Sequence, residues 1–219
     1  MSSAIIDDLR ARGLIHDTTD EAALRARLDE GSITLYQGID PSAPSLHLGN
    51  LIGILVLRRF QDHGHQPIAL VGGSTGMVGD PGGRSEERNL LDDETLAANV
   101  AGIRSQVERL LGVADGSDVA MVNNYDWTKD VGVLEFLRDV GKHANVNQMV
   151  AKDSVRSRME SEHGISFTEF SYMLLQALDF WWLQQNMACD MQIGGSDQWG
   201  NITAGIDLIR RRESVAVHG

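Results

Sequence analysis

The sequence predicts an α/β fold, a mostly parallel sheet flanked by helices, with a helical insertion in its second half. Three observations predict it. Four short runs rich in strand-forming residues (33–36, 68–71, 119–122 and 190–193) alternate with longer stretches of helical periodicity, the order that builds parallel sheets. Each run ends in glycine or small polar residues: Gly38, Gly72-Gly73, Asn123-Asn124 and Gly194-Gly195-Ser196-Asp197. Ligands of open parallel sheets bind outside the carboxyl ends of the strands, so these four ends are where a site is expected. After the first run and an irregular loop, Leu51, Ile54, Leu55, Leu57 and Phe60 recur at helical spacing.

In chain order, residues 3–13 and 20–30 read as short amphipathic helices, the second started by Thr19 or Asp20 and stopped by Gly31. The first strand leads into a loop with two prolines, Asp40 and serines, and then into a helix to about Gly64. The first turn of that helix carries His47-Leu48-Gly49-Asn50. An ordinary strand–helix connection with a capping serine would explain this much. A helix start that receives phosphate would also explain it, with exposed backbone N–H groups, Gly49 admitting a ribose or base, and His47 and Asn50 on one face. Residues 74–84 are too rich in glycine for regular structure. Residues 93–111 form a polar helix with Leu96, Val100, Ile103, Val107 and Leu110 on its apolar face. Helices follow at about 131–140, 146–160, 168–185 and 198–213, and Val215-Ala216-Val217-His218-Gly219 reads as a further strand or loop. The expected organisation is one domain over 1–219, with N-terminal helices to about residue 32 and the insertion at about 130–165.

Composition bounds the function. The chain has 219 residues, 42% hydrophobic and 23% charged, enough for a sizeable core. A net charge of −12 argues against a general nucleic-acid binder. It leaves two local basic groups, Arg210-Arg211-Arg212 and the trio Lys152, Arg156 and Arg158, weighed against plain solvated helix faces. A lone Cys189 excludes an internal disulfide and points to a reducing cytoplasm. No basic-then-apolar leader opens the sequence, and no apolar run approaches the roughly 20 residues of a membrane span, so no membrane is expected.

The most informative stretch is 168–185. It is apolar nearly all round, so the helix is buried. Yet Tyr172, Gln176 and Asp179, at i, i+4 and i+7, share one face. A buried aspartate without a partner costs several kcal/mol or takes up a proton. Either an internal hydrogen-bond network satisfies this row, or it faces a pocket for a small zwitterionic or hydroxylated ligand, completed by Asp80 and Tyr36.

Several stretches resemble bacterial-type tyrosyl-tRNA synthetase, a class I aminoacyl-tRNA synthetase. They are Tyr36-x-Gly38-x-Asp40-Pro41 with His47-Leu48-Gly49-Asn50 (the HIGH-type motif), Gly79-Asp80-Pro81-x-Gly83 with Arg88, and Asn123-Asn124-Tyr125-Asp126-Trp127. Two further motifs are the most specific: Phe167-Thr168-Glu169-Phe170-Ser171-Tyr172-x-x-x-Gln176-x-x-Asp179, and the run from Gln192 to Ile202 containing Gly194-Gly195-Ser196-Asp197-Gln198-Trp199. The resemblance implies a Rossmann-like nucleotide-binding domain that activates L-tyrosine with ATP and passes the tyrosyl group to tRNA(Tyr).

By that resemblance, Tyr36 and Asp179 bond the substrate phenol and Asp80, Tyr172 and Gln176 hold its ammonium group, with Asn123 and Gln198 also in the tyrosine set. The phenol-seeking pair rejects phenylalanine, a discrimination for which this family is itself the standard case. His47 and Asn50 meet the ATP phosphates. Gly38, Asp40, Ser42, Gly49, Gly195, Asp197 and Gln198 line the nucleotide and the reacting carboxylate, and Arg84 and Arg88 close over pyrophosphate. Catalysis is then electrostatic, by placed donors around phosphorus, with Mg²⁺ accompanying ATP and no dedicated metal cluster. The resemblance further implies a cytoplasmic homodimer, with the apolar segment around Phe167 as a contact.

The sequence departs from the family at Asn50, where His is frequent, at Gln37, where a small residue or Cys is frequent, and at Arg84, where Lys is common. The family's second ATP motif (KMSKS-type) and its C-terminal tRNA-binding region are expected beyond Gly219. A tyrosine-binding or dimerising fragment with little turnover and a tryptophanyl-type relative are the alternatives.

Overall fold

In the computed structural model, residues 3–80, 92–113, 116, 117, 119–161 and 164–219 are described. Four strands, β1 (Thr34–Ile39), β2 (Gln66–Val71), β3 (Ala120–Asn123) and β4 (Cys189–Gln192), form one sheet in the order β3-β2-β1-β4. All three pairings are parallel, with Tyr36 beside both Ile68 and Gln192, and Val71 beside Asn123. The final residues add a parallel bridge between Met191 and His218 at the β4 edge, held by Gln192 N–H to His218 O at 3.0 Å.

Strand alternation divides the core in two. Leu35, Ile39, Ala69 and Val71 point to one face, against Ile5 and Leu9 of α1 (Ala4–Ala11), Leu24 and Leu28 of α2 (Glu21–Glu30), and α3 (Leu48–Asp62). In the same cluster lie Ile103 and Val107 on the apolar stripe of α5 (Asp93–Leu110), which follows the short α4 (Gly73–Val78). Tyr36, Ile68 and Leu70 point to the other face, with Trp127 of α6 (Tyr125–Thr128). Between α6 and that face's main cover come three short helices, α7 (Val133–Asp139), α8 (Val146–Val150) and α9 (Asp153–Met159). The cover itself is α10 (Phe167–Met187), whose Phe180 and Leu183 are buried, and α11 (Trp199–Glu213) with Ile209. Helices on both faces of a parallel sheet explain why residues on both sides of the central strands are buried, as in the run Ile68-Ala69-Leu70-Val71.

Three details differ from the sequence reading. Residues 73–78 are helical despite their glycines, because α4 packs where side chains have little room: a Cβ on Gly76 would lie 3.0 Å from the Pro41 ring. Gly79, with φ of +83°, then ends it. The stretch 146–160 is two helices, the first capped by the Asn145 side chain. Arg158 is not part of a basic surface. It is buried and forks onto Glu169 at 3.0 and 2.9 Å, while Glu169 also closes the capping box that starts α10 at Ser166. Arg84 and Arg88 lie outside the described residues.

Candidate functional site

The polar strand ends converge at the carboxyl edge of the sheet. Tyr36 of β1 lies under α10, its ring 5.4 Å from that of Phe180. Its hydroxyl is buried without a hydrogen-bond partner among the described residues. Burial, and then the nearby Asp179 carboxylate, hold this phenol well above its usual range. Asp179 of α10 is 2% exposed and accepts from Asn124 Nδ2 and Trp127 Nε1, each at 2.9 Å. Burial pushes its carboxyl up to about 7, against the pull of those two donors. Both readings of the polar stripe therefore find support: the carboxylate is satisfied internally, and the phenol beside it is not.

The network runs on from Asn124. The Asn124 amide oxygen accepts from Ser74 N–H at 2.8 Å, and its Nδ2 also donates to Thr75 Oγ1 at 3.1 Å. Thr75 donates to Asp40 Oδ1 at 2.7 Å, and the Tyr172 hydroxyl donates to Asp40 Oδ2 at 2.7 Å. Asp40, expected at the ribose, thus sits on a residue expected at the amino acid. Burial and the charges of Asp40 and Asp80 raise the Tyr172 phenol. Two glycines make the crossing possible: a Cβ on Gly72 would overlap Asp40 and Thr75, and one on Gly73 would overlap the Asn123 side chain.

A second cluster lies on the β4 side. Asp80 accepts from Gln198 Nε2 at 2.5 Å and from Asn201 Nδ2 at 3.5 Å. Gln198 in turn accepts from Asn201 at 3.1 Å and donates to Asp197 at 3.0 Å. A Cβ on Gly195 would overlap the Asp197 carboxylate, so the glycine is what lets Asp197 fold back over this turn. Gln176 is half-buried on α10.

At the start of α3 the cap is His47 and not a serine. His47 Nδ1 accepts from Gly49 N–H at 3.1 Å and Asn50 N–H at 3.3 Å, and Asn50 Oδ1 accepts from His47 N–H at 3.1 Å. In the neutral ring this leaves the proton on Nε2, a donor available to a ligand. Gln37 lies across Gly53, where a Cβ would overlap its amide, and its amide oxygen is buried without a partner among the described residues. Gly38, near the end of β1, and Ser42, on the loop that follows it, are exposed.

The sequence reading missed Thr75, Asn124, Trp127 and Asn201. Of the pair expected at the tyrosine through Asn123, Asn124 is the buried one, and Asn123 accepts from Tyr125 N–H at 2.9 Å. The spacing of Asn124 and Trp127, one helical turn, was the available signal. The basic groups are largely engaged within the molecule. Arg211 bonds His143 O and Gln148, Arg212 stacks 3.8 Å over the Trp181 ring, and Arg210 pairs with Asp207. Lys152 donates to Gly200 O, and burial lowers its ammonium pKa.

Residues 28–217 match the family of tRNA synthetases class I (W and Y). The chain belongs to this family. It is similar to the tyrosine–tRNA ligase of Opitutus terrae, 61% identical over 209 residues that make up 95% of this chain and 49% of that one. The corresponding ligase of Rhodopirellula baltica is 56% identical, over 96% of this chain and 48% of that one. The chain therefore spans about half the length of the curated relatives it matches. Among solved structures, a C-terminally truncated mitochondrial tyrosyl-tRNA synthetase of Aspergillus nidulans superposes with a TM-score of 0.85 at 36% identity, covering 94% of this chain and 61% of that one. A tryptophanyl-tRNA synthetase of Campylobacter jejuni, with a TM-score of 0.60 at 18% identity over 83% of this chain and 50% of that one, shares the fold alone. The class I synthetase sheet is Rossmann-like, as the sequence reading expected.

Proposed function

We propose that this chain is the tyrosine- and ATP-binding part of a tyrosine–tRNA ligase. L-Tyrosine attacks the α-phosphate of ATP through its carboxylate, giving tyrosyl-adenylate and pyrophosphate, and the tyrosyl group then passes to the terminal ribose of tRNA(Tyr). The observation that carries the choice of amino acid is the Tyr36 hydroxyl, buried beside Asp179 with no hydrogen-bond partner among the described residues. A substrate phenol satisfies that hydroxyl and donates to Asp179, whose two oxygens retain acceptor capacity after the bonds from Asn124 and Trp127. Phenylalanine would leave these groups without their partner. Tyr172, Asp80 and Gln176 receive the ammonium group, Asp40 supports them, and Asn123 stands at the rim.

On the nucleotide side, His47 Nε2, Asn50 and the amino end of α3 meet the phosphates. Gly38, Asp40, Ser42, Gly49, Gly195 and Asp197 line the nucleotide, and Gln198 spans the junction with the amino acid. Arg84 and Arg88 close over pyrophosphate. Each of these groups acts by orienting ligand or stabilising charge on phosphorus, and Mg²⁺ enters only as counter-ion of the ATP phosphates. In the whole enzyme we place a cytoplasmic homodimer, with Phe167, 76% exposed at the start of α10, in the contact.

ATP–pyrophosphate exchange tests the reading: it should depend on tyrosine, and exchange with tryptophan only would overturn it. Because the chain spans half the length of its relatives, a tyrosine binder with weak turnover is the second reading. Calorimetry with tyrosine beside adenylate formation separates the two.

A further inference from the structure

The hydrogen-bond chain from Asp179 to Tyr172 has a direction, and one backbone group sets it. Ser74 N–H occupies the Asn124 amide oxygen, so the Asn124 side chain faces the network with its NH₂ group alone. One of its hydrogens goes to Asp179 and the other to Thr75 Oγ1. Thr75, already accepting, has a single proton to give, and gives it to Asp40 Oδ1 at 2.7 Å. Asp40 is thereby held as an acceptor on both oxygens, and Tyr172 spends its own proton on Oδ2. What Tyr172 can still offer a ligand is a lone pair. With Asp80 also close enough to act on the Tyr172 phenol, this corner offers acceptors and negative charge, the complement of an ammonium group.

We propose that Thr75 is a positioning residue for the ammonium end of the substrate: its hydroxyl orients the Asp40 carboxylate so that Tyr172 is fixed as an acceptor. This deepens the tyrosine reading and rests on it. Thr75 is buried and touches no ligand in this scheme, and Gly72 leaves the space its hydroxyl needs to reach Asp40. The phenol end keeps its own donors, since Asn124 and Trp127 hold Asp179 whether or not Thr75 is present.

The test compares L-tyrosine with 3-(4-hydroxyphenyl)propionate, which has the phenol and carboxylate but no ammonium, by titration calorimetry on the 219-residue chain. Thr75→Val should raise the Kd for tyrosine about tenfold, the worth of one hydrogen bond to a charged group, and leave that of the desamino acid unchanged. Thr75→Ser should restore tyrosine binding. Equal weakening of both ligands, or no change in either, overturns the role. If the valine variant fails to fold by circular dichroism, Thr75→Ala is judged by the same two ligands. A parent chain that binds no tyrosine refutes the ligase reading itself, whereas a parent that binds beside an unmoved valine variant refutes only the role of Thr75.

Discussion

Replacing Asp179 with asparagine should invert the order of stability between parent and variant as pH rises. Asp179 is buried, and its carboxyl is pushed up to about 7 from an ordinary 3.8. A carboxyl whose folded pKa is raised contributes stability that is present below the unfolded value and lost as pH climbs through the folded one. At 1.36 kcal/mol per pH unit, the loss between pH 4 and pH 8 amounts to about 4 kcal/mol. Asparagine has no such dependence, but its NH₂ replaces an oxygen that can accept even in the protonated acid. It therefore leaves either Trp127 Nε1–H or one Asn124 N–H facing an NH₂ group, a penalty of about 1–3 kcal/mol. The parent should be the more stable below pH 4.5 by roughly that penalty, and the variant the more stable above pH 7.5 by about 1–3 kcal/mol. Urea unfolding across pH 4 to 8, with both proteins in parallel, reads the difference directly. A gap that stays constant over this range refutes the reasoning, because it would mean that Asp179 does not titrate between its unfolded value and 7.

Other perturbations test other parts of the account. Trp127→Phe removes one of the two Asp179 donors, so it should raise that carboxyl further and weaken tyrosine binding by about tenfold in calorimetry at pH 7. Arg158→Met strands the Glu169 carboxylate in the core and should lower unfolding free energy by about 3–5 kcal/mol. Adding Glu169→Leu to it should recover most of that loss, and a double variant as unstable as the single one would contradict the assignment. His65 is buried, accepts from Ile33 N–H at 3.3 Å, and is held below its ordinary 6.5 chiefly by burial. Stability should therefore fall as pH drops through 6.5, where the unfolded imidazole takes up a proton that the folded one resists, and His65→Leu should flatten that slope.

The strands and long helices were legible because their signals are local. Apolar runs of strand length and the stripe Leu96, Ile103, Val107 need no tertiary information. α4 was not legible, since four glycines between 72 and 79 argue against a helix in isolation, and only the fold explains them: Gly72, Gly73 and Gly76 sit against Asp40 and Thr75, Asn123 and Pro41, and Gly79 takes a positive φ. Within the site, Tyr36, Asp179, Tyr172 and Asp80 stood out as polar groups in apolar or glycine-rich settings, which is itself a sequence property. The residues that hold them were hidden for a physical reason. Thr75 and Asn124 are ordinary in type, and their importance comes from which way a hydroxyl and an amide point inside the fold. His47 illustrates a different limit: the residue was singled out for phosphate, and it also caps its own helix through Nδ1. Arg158 shows the converse, a charge read as surface that the fold buries in a pair.

The most direct test of the proposed tyrosine pocket is titration of the 219-residue chain with L-tyrosine, L-phenylalanine and L-tryptophan. Tyrosine should bind, and phenylalanine, lacking the hydroxyl for Tyr36 and Asp179, should bind more than about a hundredfold more weakly, the discrimination for which tyrosyl enzymes are the standard case. Equal affinity for tyrosine and phenylalanine, or binding of tryptophan alone, would contradict that pocket.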